Sequence, residues 1–118
     1  MANIEELRLA LKITIEAEKE GKWDQDVWLN NVYDDDYNIC GTIGCFAGNY
    51  AAHLGYKPHS YNLKYDNAIN EEGNVISIKE FVTEKLDLTE YQADRLFDMN
   101  NSLRDLINLV NEIEGGLI

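Results

Sequence analysis

The side chains best suited to catalysis or metal binding are two cysteines and two histidines close together in the chain: Cys40, Cys45, His53 and His59. A helix predicted over residues 43–54 would place Cys45 in its first turn, where free N–H groups and the helix dipole lower a thiol pKa and favour a nucleophilic thiolate. His53 lies eight residues further along that helix, which is about 12 Å by helical rise. Only His59, on the following loop, could therefore act as the base.

The same side chains are also typical zinc ligands. Cys40, Cys45 and a histidine could hold zinc only if they converge within a few ångströms, and the short gap to His53 favours His59 as the histidine. Free cysteine often behaves as a small hydrophobic side chain, so buried structural thiols are the favoured prediction. A small zinc-binding protein and a cysteine-dependent enzyme are the alternatives. We expect no cofactor and no metal.

Carboxylates are concentrated in two parts of the chain. Between Glu16 and Asp36 there are eight acids against two lysines, a net charge of −6. Between Asp87 and Glu114 there are seven acids against two arginines, a net charge of −5. These two segments hold nearly all of the net charge of −12.

One set of acids in the second segment is spaced by four residues: Glu90, Asp94 and Asp98. On a helix this spacing puts the carboxylates on one face, about 6 Å apart. Like charges at this spacing destabilise a helix, so such a face is a candidate for binding a basic partner. A solvated face that only keeps the protein soluble is the competing interpretation.

A run of three consecutive aspartates, Asp34, Asp35 and Asp36, is the second candidate for partner binding. The run could instead end strand pairing or hold a loop in solvent. An EF-hand calcium loop starting at Asp34 would need glycine at its sixth position and glutamate at its twelfth. Those positions are Ile39 and Cys45, which excludes a calcium loop of this type.

Length and composition limit the class of protein. A chain of 118 residues with 45% hydrophobic content is the size of one globular domain, here residues 1–118. Its net charge of −12 repels phosphate backbones and anionic lipids, so we expect neither direct nucleic-acid binding nor membrane binding. No apolar run approaches the roughly 20 residues of a membrane span, and no signal peptide is evident. We therefore expect a cytoplasmic protein with reduced thiols.

Helical periodicity and capping residues predict a mainly α fold, a compact single-domain helical bundle with at most one small β-hairpin. The first helix is predicted over 3–20 with Asn3 as its cap, and the second is the 43–54 helix. Three short helices follow, and their capping residues are Ser77, Thr89 and either Asn101 or Ser102. The hairpin is predicted to pair residues 67–70 with 74–76.

Two glycines, Gly44 and Gly48, lie one turn apart on the predicted second helix. Each lowers helix stability by about 1 kcal/mol relative to alanine. The positions therefore predict the close approach of another backbone.

The helices predicted over 89–110 loosely resemble a helix-turn-helix, but Arg104 is the one basic residue of the second helix, which argues against a DNA-binding protein.

Longer motifs resemble small phage and prophage proteins that have no assigned activity. They read C-G-T-x-x-C-x-A-G from Cys40, L-x-L-T-x-x-Q-A-D-x-L-F from Leu86 and N-S-L-x-D-L from Asn101. The chain departs from that pattern at Asn49-Tyr50, where such proteins often place a tryptophan after the glycine. The resemblance implies a small accessory protein that binds a host or viral component.

Together these observations predict a non-enzymatic, acidic protein-interaction module. Its partner would be a basic protein surface, such as that of a nucleic-acid-handling host enzyme, which the module could inhibit. In a phage setting its location would be the host cytoplasm. The oligomeric state is left open.

Overall fold

The computed structural model describes residues 2–59 and 66–118, and these residues form both helices and sheets. The helices are α1 (Ile4–Lys19), α2 (Phe46–His53), α3 (Ile78–Lys85), α4 (Glu90–Leu96) and α5 (Leu103–Glu114). The strands are β1 (Leu29–Tyr33), β2 (Ile39–Gly44), β3 (Lys57–Pro58), β4 (Asn67–Ile69) and β5 (Val75–Ser77). The fold is mixed α/β, so the prediction of a mainly helical bundle with at most one hairpin is wrong.

The strands form two separate antiparallel sheets. β1 and β2 make a two-stranded hairpin with a bulge after Val32, and β3, β4 and β5 make a three-stranded sheet in that order. The predicted hairpin is confirmed, because Asn67 pairs with Ser77 and Ile69 with Val75. The β1–β2 hairpin was missed because β1 lacks the regular apolar–polar alternation of a half-buried strand.

Capping side chains begin α1, α3, α4 and α5 where the sequence predicted them. The Oδ1 atom of Asn3 accepts a hydrogen bond from the backbone of Glu6 at 3.2 Å. Thr89 and Gln92 form a reciprocal capping box at α4, and Ser102, not Asn101, caps α5. These caps satisfy N–H groups that have no partner within the helix, which explains why they can be predicted from local sequence.

The second helix begins three residues later than predicted. Residues 39–44 pair with β1, so Gly44 ends a strand and α2 starts at Phe46. The predicted backbone approach is confirmed. A Cβ atom on Gly44 would lie 2.6 Å from the carbonyl oxygen of Trp28, and one on Gly48 would overlap with the same oxygen. The two glycines therefore let the chain at Trp28 pack directly on the start of α2.

The core is formed where α1 packs on α2 and α5, α2 also contacts α3, and α4 contacts both α3 and α5. Its largest fully buried side chains include Tyr50, Phe46 and Leu7. The Tyr50 hydroxyl donates to Glu6 at 2.9 Å, and burial together with that bond raises the pKa of Tyr50 to about 12. None of the described helices is long and apolar enough to cross a lipid bilayer.

Candidate functional site

Cys45 is a buried helix cap. Its Sγ atom accepts a hydrogen bond from the backbone of Gly48 at 3.4 Å and lies 3.8 Å from the carbonyl oxygen of Trp28. Burial raises the pKa of Cys45 to about 11, although its backbone hydrogen bonds act in the opposite direction. The expected lowering of this thiol pKa is therefore wrong, because loss of hydration outweighs the N-terminal N–H groups. A protonated, buried thiol is poorly suited to nucleophilic attack at neutral pH.

The other thiol lies in a different environment. Cys40 is on β2 at the bulge, exposed, with its Sγ atom donating to the carbonyl oxygen of Val32 at 3.4 Å. The prediction of buried thiols is thus confirmed for Cys45 and wrong for Cys40. The intervening chain is extended strand, and five residues of strand span about 16 Å. The two thiols are therefore held far apart.

The third candidate ligand, His59, follows β3 and is half-buried. Its Nδ1 atom has no hydrogen-bond partner among the described residues. Within residues 2–59 and 66–118, no three His, Cys, Asp or Glu side chains are grouped closely enough to hold a metal ion. Cys40, Cys45 and His59 therefore do not form a zinc site within the described residues.

The carboxylates spaced by four lie in three different environments. α4 ends at Leu96, so Asp98 lies beyond the helix and caps a turn by accepting from the backbone of Asn100 at 2.8 Å. Asp94 forms an ion pair with Lys79 of α3 at 3.1 Å. Glu90 lines a shallow groove between α3 and α4, together with Lys79. The expected continuous helical face of three carboxylates is therefore not formed.

The three consecutive aspartates form the turn of the β1–β2 hairpin, here called the acidic turn (residues 34–38). The Oδ1 atom of Asp34 accepts from the backbones of Asp36 and Asn38, each at 2.9 Å, so this carboxylate holds the turn together. The side chains of Asp35 and Asp36 are exposed and form no ion pair with any described residue. Residues 29–44 contain no lysine or arginine. The acidic turn is therefore a concentrated negative charge that no ion pair among the described residues compensates.

A buried glutamine joins the two acidic segments of the chain through backbone hydrogen bonds. Gln25 is 7% exposed, and its Nε2 atom donates to the carbonyl oxygens of Leu96 and Asp98 at 3.0 and 3.1 Å. Its Oε1 atom accepts from the Trp23 indole and the Phe46 backbone, each at 3.1 Å. Gln25 thus joins three segments that are distant in sequence. No sequence signal identified it, because its role depends on contacts with residues more than 70 positions away.

The loop held by this glutamine carries Asp24 and Asp26. With Ile43 of β2 and the exposed Met99, these acids line a shallow groove. The backbone of Asp98 reaches the same place through its bond to the glutamine. The first and second acidic segments of the sequence therefore meet here, whereas the acidic turn lies at the end of its own hairpin.

Comparison of the chain with protein-family models, curated proteins and solved structures gave no match. The functional argument therefore depends on the geometry and charge of the residues themselves.

Proposed function

We propose that this protein is a non-enzymatic interaction module whose acidic surface engages a basic surface of another protein. The observation that carries the proposal is the acidic turn, where Asp35 and Asp36 are exposed and unpaired within the described chain. An uncompensated cluster of this kind attracts cationic partners and raises their rate of association.

The six proposed partner-binding carboxylates differ in how much charge they can offer. Asp94 is partly compensated by Lys79, an exposed pair of the kind that is screened by solvent. Asp34 uses its Oδ1 atom to hold the turn, while Asp35 and Asp36 have no such internal role. We rank the acidic turn first, and Glu90, Asp94 and Asp98 second.

The proposed partner is a protein whose surface normally binds nucleic acid. Such a surface presents lysine and arginine at spacings suited to phosphates, and carboxylates on a rigid turn offer an alternative set of acceptors. The protein would then act in the cytoplasm as a phage-type accessory protein or inhibitor of a host enzyme. Bound module and bound nucleic acid would exclude each other.

The test is affinity capture with the immobilised chain from the native host, followed by measurement of retained partner as salt is raised. We expect binding to weaken steeply with ionic strength. The variant D35K/D36K should abolish capture, and E90K/D94K/D98K should weaken it. The matched control is E71K/E72K, which makes the same charge change as D35K/D36K on another exposed hairpin turn. Capture that is insensitive to salt and to both D35K/D36K and E90K/D94K/D98K contradicts the proposal.

Competition distinguishes the inhibitor role from simple association. A purified partner should release bound DNA or RNA as the module is added, with a midpoint that the E71K/E72K variant leaves unchanged. A partner that binds the module and nucleic acid simultaneously would rule out inhibition by competition, while leaving the interaction itself intact.

A further inference from the structure

The acidic turn carries an aromatic side chain that the fold itself does not use. Tyr37 is 87% exposed, and its side chain makes no hydrogen bond or ring contact with any described residue. A single exposed aromatic residue is ordinary on a protein surface. Its backbone is not ordinary, because Tyr37 has a φ of 63°, in the left-handed region that disfavours side chains other than glycine.

The chain contains a second turn of the same construction, at residues 70–74 between β4 and β5. In both turns the first residue's side-chain oxygen accepts from the backbones of the third and fifth residues, at 2.9 to 3.0 Å. In both turns the backbone N–H of the first residue donates to the carbonyl oxygen of the fifth residue. The carbonyl oxygen of the first residue accepts from the backbone N–H of the fourth residue. Both turns also carry two acidic residues at their second and third positions. The second turn is therefore an internal control for the acidic turn.

The two turns differ at the fourth position. The second turn has Gly73 there, with a φ of 85°, and the acidic turn has Tyr37. Glycine adopts this conformation without the steric penalty that a Cβ atom introduces. Tyr37 therefore carries backbone strain, and its exposed ring gains no burial within the chain in return. The turn itself does not require a tyrosine.

Tyr37 does not stand alone as an exposed apolar group. Tyr33 and Ile39 are cross-strand partners at the end of the hairpin and are 57% and 61% exposed. Directly paired residues project from the same face of a sheet, so these two side chains form one surface. Three of the large apolar side chains exposed in the described chain thus lie within seven residues. Solubility explains exposed aspartates, but it does not explain this grouping.

Charge selects between the possible occupants of this surface. A second copy of the chain would bring two acidic turns together, in a protein whose net charge is −12. Repulsion between like charges opposes such a dimer. A protein surface with an apolar pocket bordered by arginine or lysine complements both the exposed side chains and Asp35 and Asp36.

We propose that Tyr37 is the anchor of this interaction, inserting its ring into an apolar pocket of a partner protein. Arginine or lysine at the border of the pocket would pair with Asp35 and Asp36 and contact the ring face. The inference rests on the proposed function and adds the binding mode. In this binding mode, burial of the Tyr37 ring provides most of the affinity, and Asp35 and Asp36 make the affinity depend on salt.

The test begins with a photo-crosslinking amino acid, p-benzoylphenylalanine, at position 37 and, as the control, at position 73. The protein that is crosslinked from position 37 and not from position 73 is purified and becomes the probe. Its affinity is then measured for the wild type, Y37G, Y37F, D35N/D36N and E71Q/E72Q, with thermal melting of each variant.

We expect Y37G to lower affinity at least tenfold without lowering the melting temperature, because glycine relieves the strained backbone. Y37F should keep most of the affinity, D35N/D36N should weaken binding and flatten its salt dependence, and E71Q/E72Q should match the wild type. The inference is overturned if Y37G binds as tightly as the wild type, if position 37 gives no specific product, or if the product is a dimer of the chain. Loss of binding in D35N/D36N with none in Y37G would overturn the anchor and retain the proposed function. If neither variant loses affinity, both proposals fail.

Discussion

Replacing Gly48 by alanine tests whether the backbone contact with Trp28 determines how α2 sits against the β1–β2 hairpin. A Cβ atom at Gly48 would overlap with the carbonyl oxygen of Trp28, would lie 2.7 Å from its carbonyl carbon, and would contact Leu29 at 3.4 Å. The obstacle is main chain, so it cannot rotate away as a side chain would. The variant must separate the helix from the chain at Trp28 and so weaken the hydrogen bonds of Cys45 to Val27 and Trp28.

The magnitude follows from two opposing effects. Alanine in place of glycine within a helix stabilises the folded state by about 1 kcal/mol. An added carbon in a close-packed site costs about 1–3 kcal/mol, and more where backbone must move. We expect steric overlap to win and the free energy of unfolding of G48A to fall by about 2 kcal/mol. For a chain of this length the melting temperature should fall by about 8 °C.

The assay is urea unfolding followed by the fluorescence of Trp23 and Trp28 and by far-UV circular dichroism. G44A, with a Cβ atom 2.6 Å from the same oxygen, should also be destabilised. G115A is the matched control, because Gly115 has an ordinary φ of −79° at the end of α5 and its nearest neighbour would be 3.3 Å away. A G48A protein as stable as the wild type would show that the contact does not determine the packing.

Three further outcomes follow from the structure. With a thiol probe near neutral pH, Cys40 should react at once and Cys45 only on unfolding; rapid modification of both thiols would contradict the burial of Cys45. Q25A should lose about 2–3 kcal/mol of stability in urea unfolding, because it leaves buried backbone groups without partners; a loss below about 1 kcal/mol would mean that water replaces the glutamine. The free energy of unfolding should be constant up to about pH 9 and decline towards pH 12. The pKa values of Cys45 and Tyr50 are raised from 9.0 to about 11 and from 10.0 to about 12, so the unfolded chain loses these protons first as the pH rises. Y50F should flatten the upper part of that decline, which alkaline melting curves would measure.

Local sequence correctly predicted the N-caps of α1, α3, α4 and α5 and the second hairpin. Asn3, Thr89 and Ser102 cap helices because their side chains bond to N–H groups three residues away. Such bonds form within one turn of chain and need no knowledge of the fold. The close backbone approach predicted from Gly44 and Gly48 is also confirmed, although Gly44 lies in β2 and only Gly48 lies in α2.

The first hairpin and the candidate site could not be predicted from patterns in the sequence. The strand β2 was assigned in part to a helix, since Gly44 and Cys45 run directly into the periodic residues of α2. That error placed Cys45 in the first turn of the helix, whereas it is the N-cap of α2. The expected direction of its pKa shift was wrong because burial outweighs the backbone hydrogen bonds. The spacing of Glu90, Asp94 and Asp98 was real, but α4 ends before the third of them.

The amino-acid sequence by itself determined the acidic charge, the concentration of carboxylates in two segments and the residues that cap helices, because these depend on composition and on neighbours within a turn. Tertiary structure alone decided which carboxylates are paired and which thiol is buried. Those properties depend on residues brought together from distant parts of the chain, as with Lys79 and Asp94 or Gln25 and Asp98. Desolvation and Coulomb interactions act through space, and the fold sets those distances.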